Sequence, residues 1–159
     1  MRERCFAVLG ARVAGARVLD LFAGTGAVGI EALSRGAVTV VLVDAHPSAV
    51  RLIRANLESL GVGRDRAAVL GRSAAAAIAE LGRKRQTFDL IWADPPFESW
   101  TDGLEALAAA VASGLVGAGA ALCLECPASA DVAAVLPGSL EIERDLTGGA
   151  SRVVILRTR

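Results

Sequence analysis

Three carboxylates and one glycine loop are the groups in this chain that could do chemistry together. Asp20, Asp44 and Asp94 each follow an apolar run, and Asp20 stands just ahead of Gly24-Thr25-Gly26-Ala27-Val28-Gly29. The glycines fit the G-x-G-x-x-G pattern of nucleotide-binding loops. Gly24 and Gly26 let the backbone turn tightly and approach a ligand, and Gly29 lets a helix pack close to a strand. Such turns are common, so the loop alone says little.

Asp20 narrows the reading. A dinucleotide puts its pyrophosphate on the helix N-terminus behind such a loop, and a carboxylate on the preceding strand repels it. The same carboxylate attracts a cation. S-adenosylmethionine carries an ammonium and a sulfonium, and is the expected ligand of Asp20, Phe22, Ala23, Gly24, Thr25 and Gly26. Asp44 follows Gly24 by about 20 residues, where an acid can accept from ribose hydroxyls. With Ala45 it extends the expected cofactor site. Arg72 and Ser73, in the loop after the third strand, are expected near the adenine. His46 reads as a surface or capping residue.

Asp94-Pro95-Pro96-Phe97 suits an acceptor amine. An aromatic exocyclic amine is a poor nucleophile because its lone pair is delocalised into the ring. Hydrogen-bond acceptors around the nitrogen favour the tetrahedral geometry that attack requires. The Asp94 carboxylate and the Pro95 carbonyl can both accept. The prolines stiffen the loop and remove competing N–H donors. Phe97 offers a face on which an extruded base can stack. Asp94, Pro95, Pro96 and Phe97 are therefore the expected catalytic set, with Asp94 also bordering the cofactor.

These residues must be held by alternating strands and helices. A helix ends at Gly10 with Cys5, Phe6 and Leu9 on one face. Strands are expected at 17–22, 38–43, 67–70, 88–93, 118–125, 140–146 and 152–157. Helices are expected at 27–35, from His46 to Leu60, at 74–81 behind a Ser73 N-cap, at 102–112 and at 129–135. The His46–Leu60 helix carries Ala49, Val50, Leu52, Ile53, Leu57 and Leu60 at helical spacing. The run Val38–Val43 reads as a strand buried on both faces. This alternation predicts an α/β, doubly wound, mostly parallel seven-stranded sheet with helices on both faces and an antiparallel C-terminal hairpin, in one domain over 1–159.

The whole chain resembles the bacterial family that methylates the exocyclic N2 of guanine in small-subunit ribosomal RNA. The resemblance rests on Asp20–Gly26, Glu31–Ala37, Asn56-Leu57 and Asp94–Phe97 in that order, with Arg2-Glu3 and Phe6 similar to the helix before the first strand. It implies a class I methyltransferase fold, S-adenosylmethionine as donor, and Asp94–Phe97 at the target base. It also implies a basic, partly hairpin segment ahead of the Arg-Glu helix, whereas this chain begins inside that helix. The expected partner is ribosomal RNA, within a partly assembled small subunit.

Composition sets the remaining bounds. The chain has 159 residues, enough for one real core. Mean hydropathy is +0.50, but alanine supplies much of it, and no apolar run approaches the roughly 18 residues of a membrane span. No signal peptide is evident. Lysine and arginine number 17, as do aspartate and glutamate, so formal net charge is zero. That is unusual for a protein whose affinity for nucleic acid rests on phosphate neutralisation. Cys5, Cys123 and Cys126 with one histidine make a poor zinc set. They read as buried thiols, which suits a reducing cytoplasm. Two other readings remain: a class I methyltransferase for another amine or a small molecule, and a catalytically weak nucleotide- or RNA-binding module. A nicotinamide oxidoreductase is disfavoured by Asp20 and by the lack of tyrosine.

Overall fold

The computed structural model describes residues 1–159. Helix α1 (Arg2–Leu9) leads through a 3-10 turn into strand β1 (Arg17–Asp20). Then come α2 (Ala27–Ser34), β2 (Thr39–Val43), α3 (Pro47–Ser59), β3 (Ala67–Leu70), α4 (Ala74–Arg83) and β4 (Phe88–Ala93). A 3-10 turn at Phe97–Ser99 precedes α5 (Trp100–Ala112), β5 (Val116–Pro127), α6 (Val132–Val135), β6 (Leu140–Gly148) and β7 (Ser151–Thr158).

The seven strands form one sheet in the order β3-β2-β1-β4-β5-β7-β6. The first five are parallel. Strand β7 is inserted between β5 and β6 and runs antiparallel to both. The order reverses between β1 and β4. Open parallel sheets bind ligands in the crevice that such a reversal leaves at the carboxyl ends of the strands.

Two apolar layers cover the sheet. Phe6, Leu33, Ile53, Leu90, Trp92 and Cys123 belong to the layer under α1, α2 and α3. Ile78, Leu81, Ile91, Leu107 and Leu122 belong to the layer under α4 and α5. Phe6 and Trp92 stack at 5.5 Å between ring centroids, and the Arg35 guanidinium lies 5.3 Å from the Phe6 ring centre. The Trp92 indole N–H is buried without a partner. Gly29 meets β2 closely: a Cβ there would lie 2.4 Å from Leu42. All three cysteines are buried thiols.

Several expected boundaries differ. Val38 precedes β2 and is exposed, its N–H donating to the Ala16 carbonyl at 2.9 Å ahead of the strand. On α3 the buried stripe is Val50, Ile53 and Leu57, while Leu52 and Leu60 face solvent. Leu52 points away from the apolar stripe at helical spacing, and Leu60 is the C-cap residue beyond the last turn. Helix α6 is one turn, starting at Val132 rather than at 129, where the Asp131 carboxylate accepts from the Ala134 N–H at 3.2 Å. Helix α5 starts earlier than expected, at Trp100, directly out of the 3-10 turn.

Candidate active site

The acids converge because their strands are neighbours. Asp20 ends β1, Asp44 follows β2, and Asp94 follows β4. Side by side in the order β2-β1-β4, these strands place three carboxylates along the carboxyl edge. Strand β5 adds a fourth. Ala93 pairs with Leu124, so the next residues, Asp94 and Glu125, stand level. The sequence reading passed over Glu125. Its only signal was a charge inside an otherwise apolar strand, and its meaning depends on β5 lying beside β4.

Asp20 is sealed in, at 1% exposure. One carboxylate oxygen accepts from the Phe22 N–H at 3.3 Å. Desolvation pushes its carboxyl up to about 7, and the charges of Asp94 and Asp44 add to the rise. Asp44 ties the loop down: Oδ2 accepts from the Gly24 N–H at 2.9 Å and Oδ1 from the His46 N–H at 2.9 Å. Oδ2 keeps a second lone pair for a hydroxyl, while Oδ1 also faces the His46 Nδ1 at 3.2 Å. Gly24 and Gly26 have φ of +57° and +84°. Nothing lies within 4 Å of a Cβ built at Gly24, so the outer side of the loop is open. Asn56 of α3 holds the loop from the far side, its side-chain amide donating to the Thr25 carbonyl at 2.9 Å. Phe22 is half-buried and Ala23 buried beneath the loop, while Ala45 continues the exposed turn after Asp44.

Asp94 opens to solvent within a concavity. Desolvation pushes its carboxyl up to about 6, and Glu125 adds to the rise. Pro95 is buried, whereas Pro96 and Phe97 are exposed, Phe97 at 40%. The Ser99 N–H donates to the Pro96 carbonyl at 3.0 Å and closes the turn. Gly103 of α5 presses on this loop. A Cβ there would lie 2.8 Å from both Pro95 and Leu124. The sequence reading also missed Gly103; a lone glycine inside a helix was its signal.

Two expected contacts are otherwise engaged. The Arg72 guanidinium pairs with Glu80 at 2.8 Å, which turns it along α4. Ser73 Oγ caps α4 by accepting from the Ala76 N–H at 3.2 Å, as its sequence position predicts. His46 is a surface residue whose ring lies 3.2 Å from Asp44. A cavity of about 480 Å³ lies beside Asp94, lined by Met1, Arg2, Glu3, Asp94, Glu125 and Ser151. A larger one of about 730 Å³ opens beside β3, among Arg54, Leu57, Val62 and Arg64, away from the acids.

An open glycine loop at the switch point, an acid on the strand before it and a further acid after β2 define the class I methyltransferase fold. A solved conserved hypothetical protein of Streptococcus pyogenes has the same fold, with a TM-score of 0.86 and 30% identity, covering 100% of this chain and 96% of that one. The chain belongs to the family described as Conserved hypothetical protein 95, whose model matches residues 1–157. It is 36% identical over 98 residues to YlbH of Bacillus subtilis, which is 62% of this chain and 53% of that one. It is 34% identical over 97 residues to ribosomal RNA small subunit methyltransferase D of Escherichia coli, which is 61% of this chain and 46% of that one. The chain spans about half the length of these curated relatives.

Proposed function

We propose that the chain is the catalytic domain, 1–159, of an S-adenosylmethionine-dependent enzyme that methylates the exocyclic N2 of a guanine in small-subunit ribosomal RNA. One observation carries the proposal: carboxylates stand at the carboxyl edge of the three adjacent strands β2, β1 and β4 around an open glycine loop. That edge repels a pyrophosphate and accommodates an ammonium and a sulfonium. The Asp-Pro-Pro-Phe loop at the same edge, and the name of the Escherichia coli relative, support the amine acceptor and its RNA.

The donor set fits the cofactor. Asp20 would attract the ammonium end from beneath the loop, while Asp44 would hold the ribose hydroxyls and the backbone of Phe22–Gly26 the space between. Ser73 would offer its backbone to the adenine, with Arg72 and Ala45 at the rim. When bound, S-adenosylmethionine supplies an electrophilic methyl group. The chain's own work is orientation and electrostatics. Asp94 and the Pro95 carbonyl accept from the amine and favour its tetrahedral form. Pro96 keeps the turn rigid, Phe97 stacks on the base, and the Asp94 carboxylate takes the proton that the nitrogen sheds. No helix is long and apolar enough to cross a membrane, which is consistent with work on ribosomal RNA in the cytoplasm. A partly assembled small subunit is the proposed substrate, because its proteins would fix a target that this chain of zero net charge holds weakly.

Calorimetry with S-adenosylmethionine and NAD, followed by mass mapping of methylated small-subunit RNA, tests the proposal. Cofactor binding with no NAD binding, and N2-methylguanosine in the product, are the expected results. Tighter binding of NAD would overturn it.

A further inference from the structure

Asp94 and the Pro95 carbonyl can serve any aromatic exocyclic amine, so they do not choose the base. Adenine and cytosine carry an unprotonated ring nitrogen beside the amine. Guanine alone carries N1–H there, next to N2. A site that selects guanine by reading N1–H therefore needs a second acceptor level with the first.

Glu125 has that position. It stands level with Asp94 on the neighbouring strand, and both line the open cavity that Met1, Arg2, Glu3 and Ser151 also line. Its backbone is paired with Val153 of β7, and the ladder with β4 ends one residue earlier, at Ala93 and Leu124. It is half-buried between the buried Leu124 and Cys126, and no hydrogen bond or ion pair within the chain engages its carboxylate. Burial pushes that carboxyl up, while the N-terminal ammonium and Arg2 pull it back. Such a group is costly to keep unless something brings a donor to it. The other acid of the cavity, Glu3, is exposed on the first turn of α1. Arg2 already donates through Nε to Glu31 at 3.1 Å.

We infer that Glu125 is the specificity-determining residue of the acceptor site, accepting from guanine N1–H while Asp94 accepts from N2. The inference rests on the reading of the protein as a guanine-N2 methyltransferase. A carboxylate at this place repels the N1 of adenine and the N3 of cytosine. It therefore rejects bases whose amine Asp94 could otherwise use.

The test uses small-subunit RNA carrying guanosine, 2-aminopurine riboside or adenosine at the methylated position, located first with the unaltered chain. 2-Aminopurine keeps the 2-amino group but has an unprotonated N1. The unaltered chain should prefer guanosine over 2-aminopurine by about 100-fold or more in kcat/KM, since a site built for a donor rejects the analogue lacking it. Glu125→Gln can turn its amide to donate to N1. It should lower guanosine methylation about 10- to 100-fold and bring the two substrates within roughly tenfold, with cofactor affinity unchanged. Glu3→Gln should leave the ratio intact. Equal use of guanosine and 2-aminopurine by the unaltered chain would overturn the inference, and that comparison needs no variant to fold. An unchanged ratio in a folded, cofactor-binding Glu125→Gln protein would overturn it too. Both outcomes leave the guanine-N2 reading standing. A methyl group found on any atom other than guanine N2 would remove both.

Discussion

Asp20 sits beneath the proposed cofactor with nothing positive beside it. Its carboxyl holds a proton up to about 7 in the folded chain, against about 3.9 in an unfolded one. Between those values the native state binds more protons than the unfolded state. Stability of the ligand-free protein is therefore greatest below about pH 4 for this group, falls as pH rises toward 7, and levels off above. The span is on the order of 3–5 kcal/mol. Urea unfolding across that range should show the decline in the native chain and a flatter profile in Asp20→Asn; matching profiles would contradict the account. A bound cation favours the ionised form, so cofactor affinity should tighten as pH rises through 7. Asp20→Asn should lose that dependence and bind about 1.5–3 kcal/mol more weakly. Asp94→Ala should abolish methyl transfer and leave cofactor affinity within a few fold, as read by calorimetry beside a turnover assay. Asp20, Asp44 and Asp94 were legible in the sequence because each closes an apolar run. Glu125 was not, because its neighbour across the sheet is far away in the chain.

Among the elements, α5 sets the height of the acceptor loop. Gly103 lies where a Cβ would overlap Pro95 and Leu124, one of them inside the motif and the other just ahead of Glu125. Overpacking of a tight interior commonly costs about 1–3 kcal/mol, and here the displaced backbone would carry Asp94 and Phe97 with it. Gly103→Ala should cut kcat at least tenfold while cofactor binding stays near normal. A rate equal to that of the unaltered enzyme would show that the loop does not depend on α5. The element types were readable from periodicity and turn residues, since five parallel strands alternate with helices. The insertion of β7 between β5 and β6 was not. A C-terminal hairpin can dock through either strand, and burial decides: Val153, Val154, Ile155 and Leu156 are all buried, whereas β6 buries only Leu140 and Leu146.

For the molecule as a whole, charge governs encounter with RNA. The basic and acidic counts are equal, and roughly half of the cations are already held by carboxylates, as in Arg17 with Asp89 and Arg152 with Asp145. Each phosphate neutralised adds to the salt dependence of binding. The 159-residue chain should therefore bind naked RNA weakly, with a shallow slope of log affinity against log salt, while binding its cofactor normally. Filter binding at several salt concentrations reads this directly. Tight, steeply salt-dependent binding would place a full RNA surface within these residues.

The same chain carries its own optical label. Tyrosine is absent and tryptophan occurs twice, at Trp92 within β4 and Trp100 at the start of α5, on either side of Asp94–Phe97. Trp92 is fully buried against Phe6 with its indole N–H unpaired, so its emission should be blue-shifted. Near-ultraviolet fluorescence of the unmodified protein thus originates almost entirely from the two shoulders of the acceptor loop. A base seated on Phe97 should change that signal, and Trp100→Phe would assign what remains to the strand that delivers Asp94. No dye or engineered probe is needed to watch that loop fill and empty.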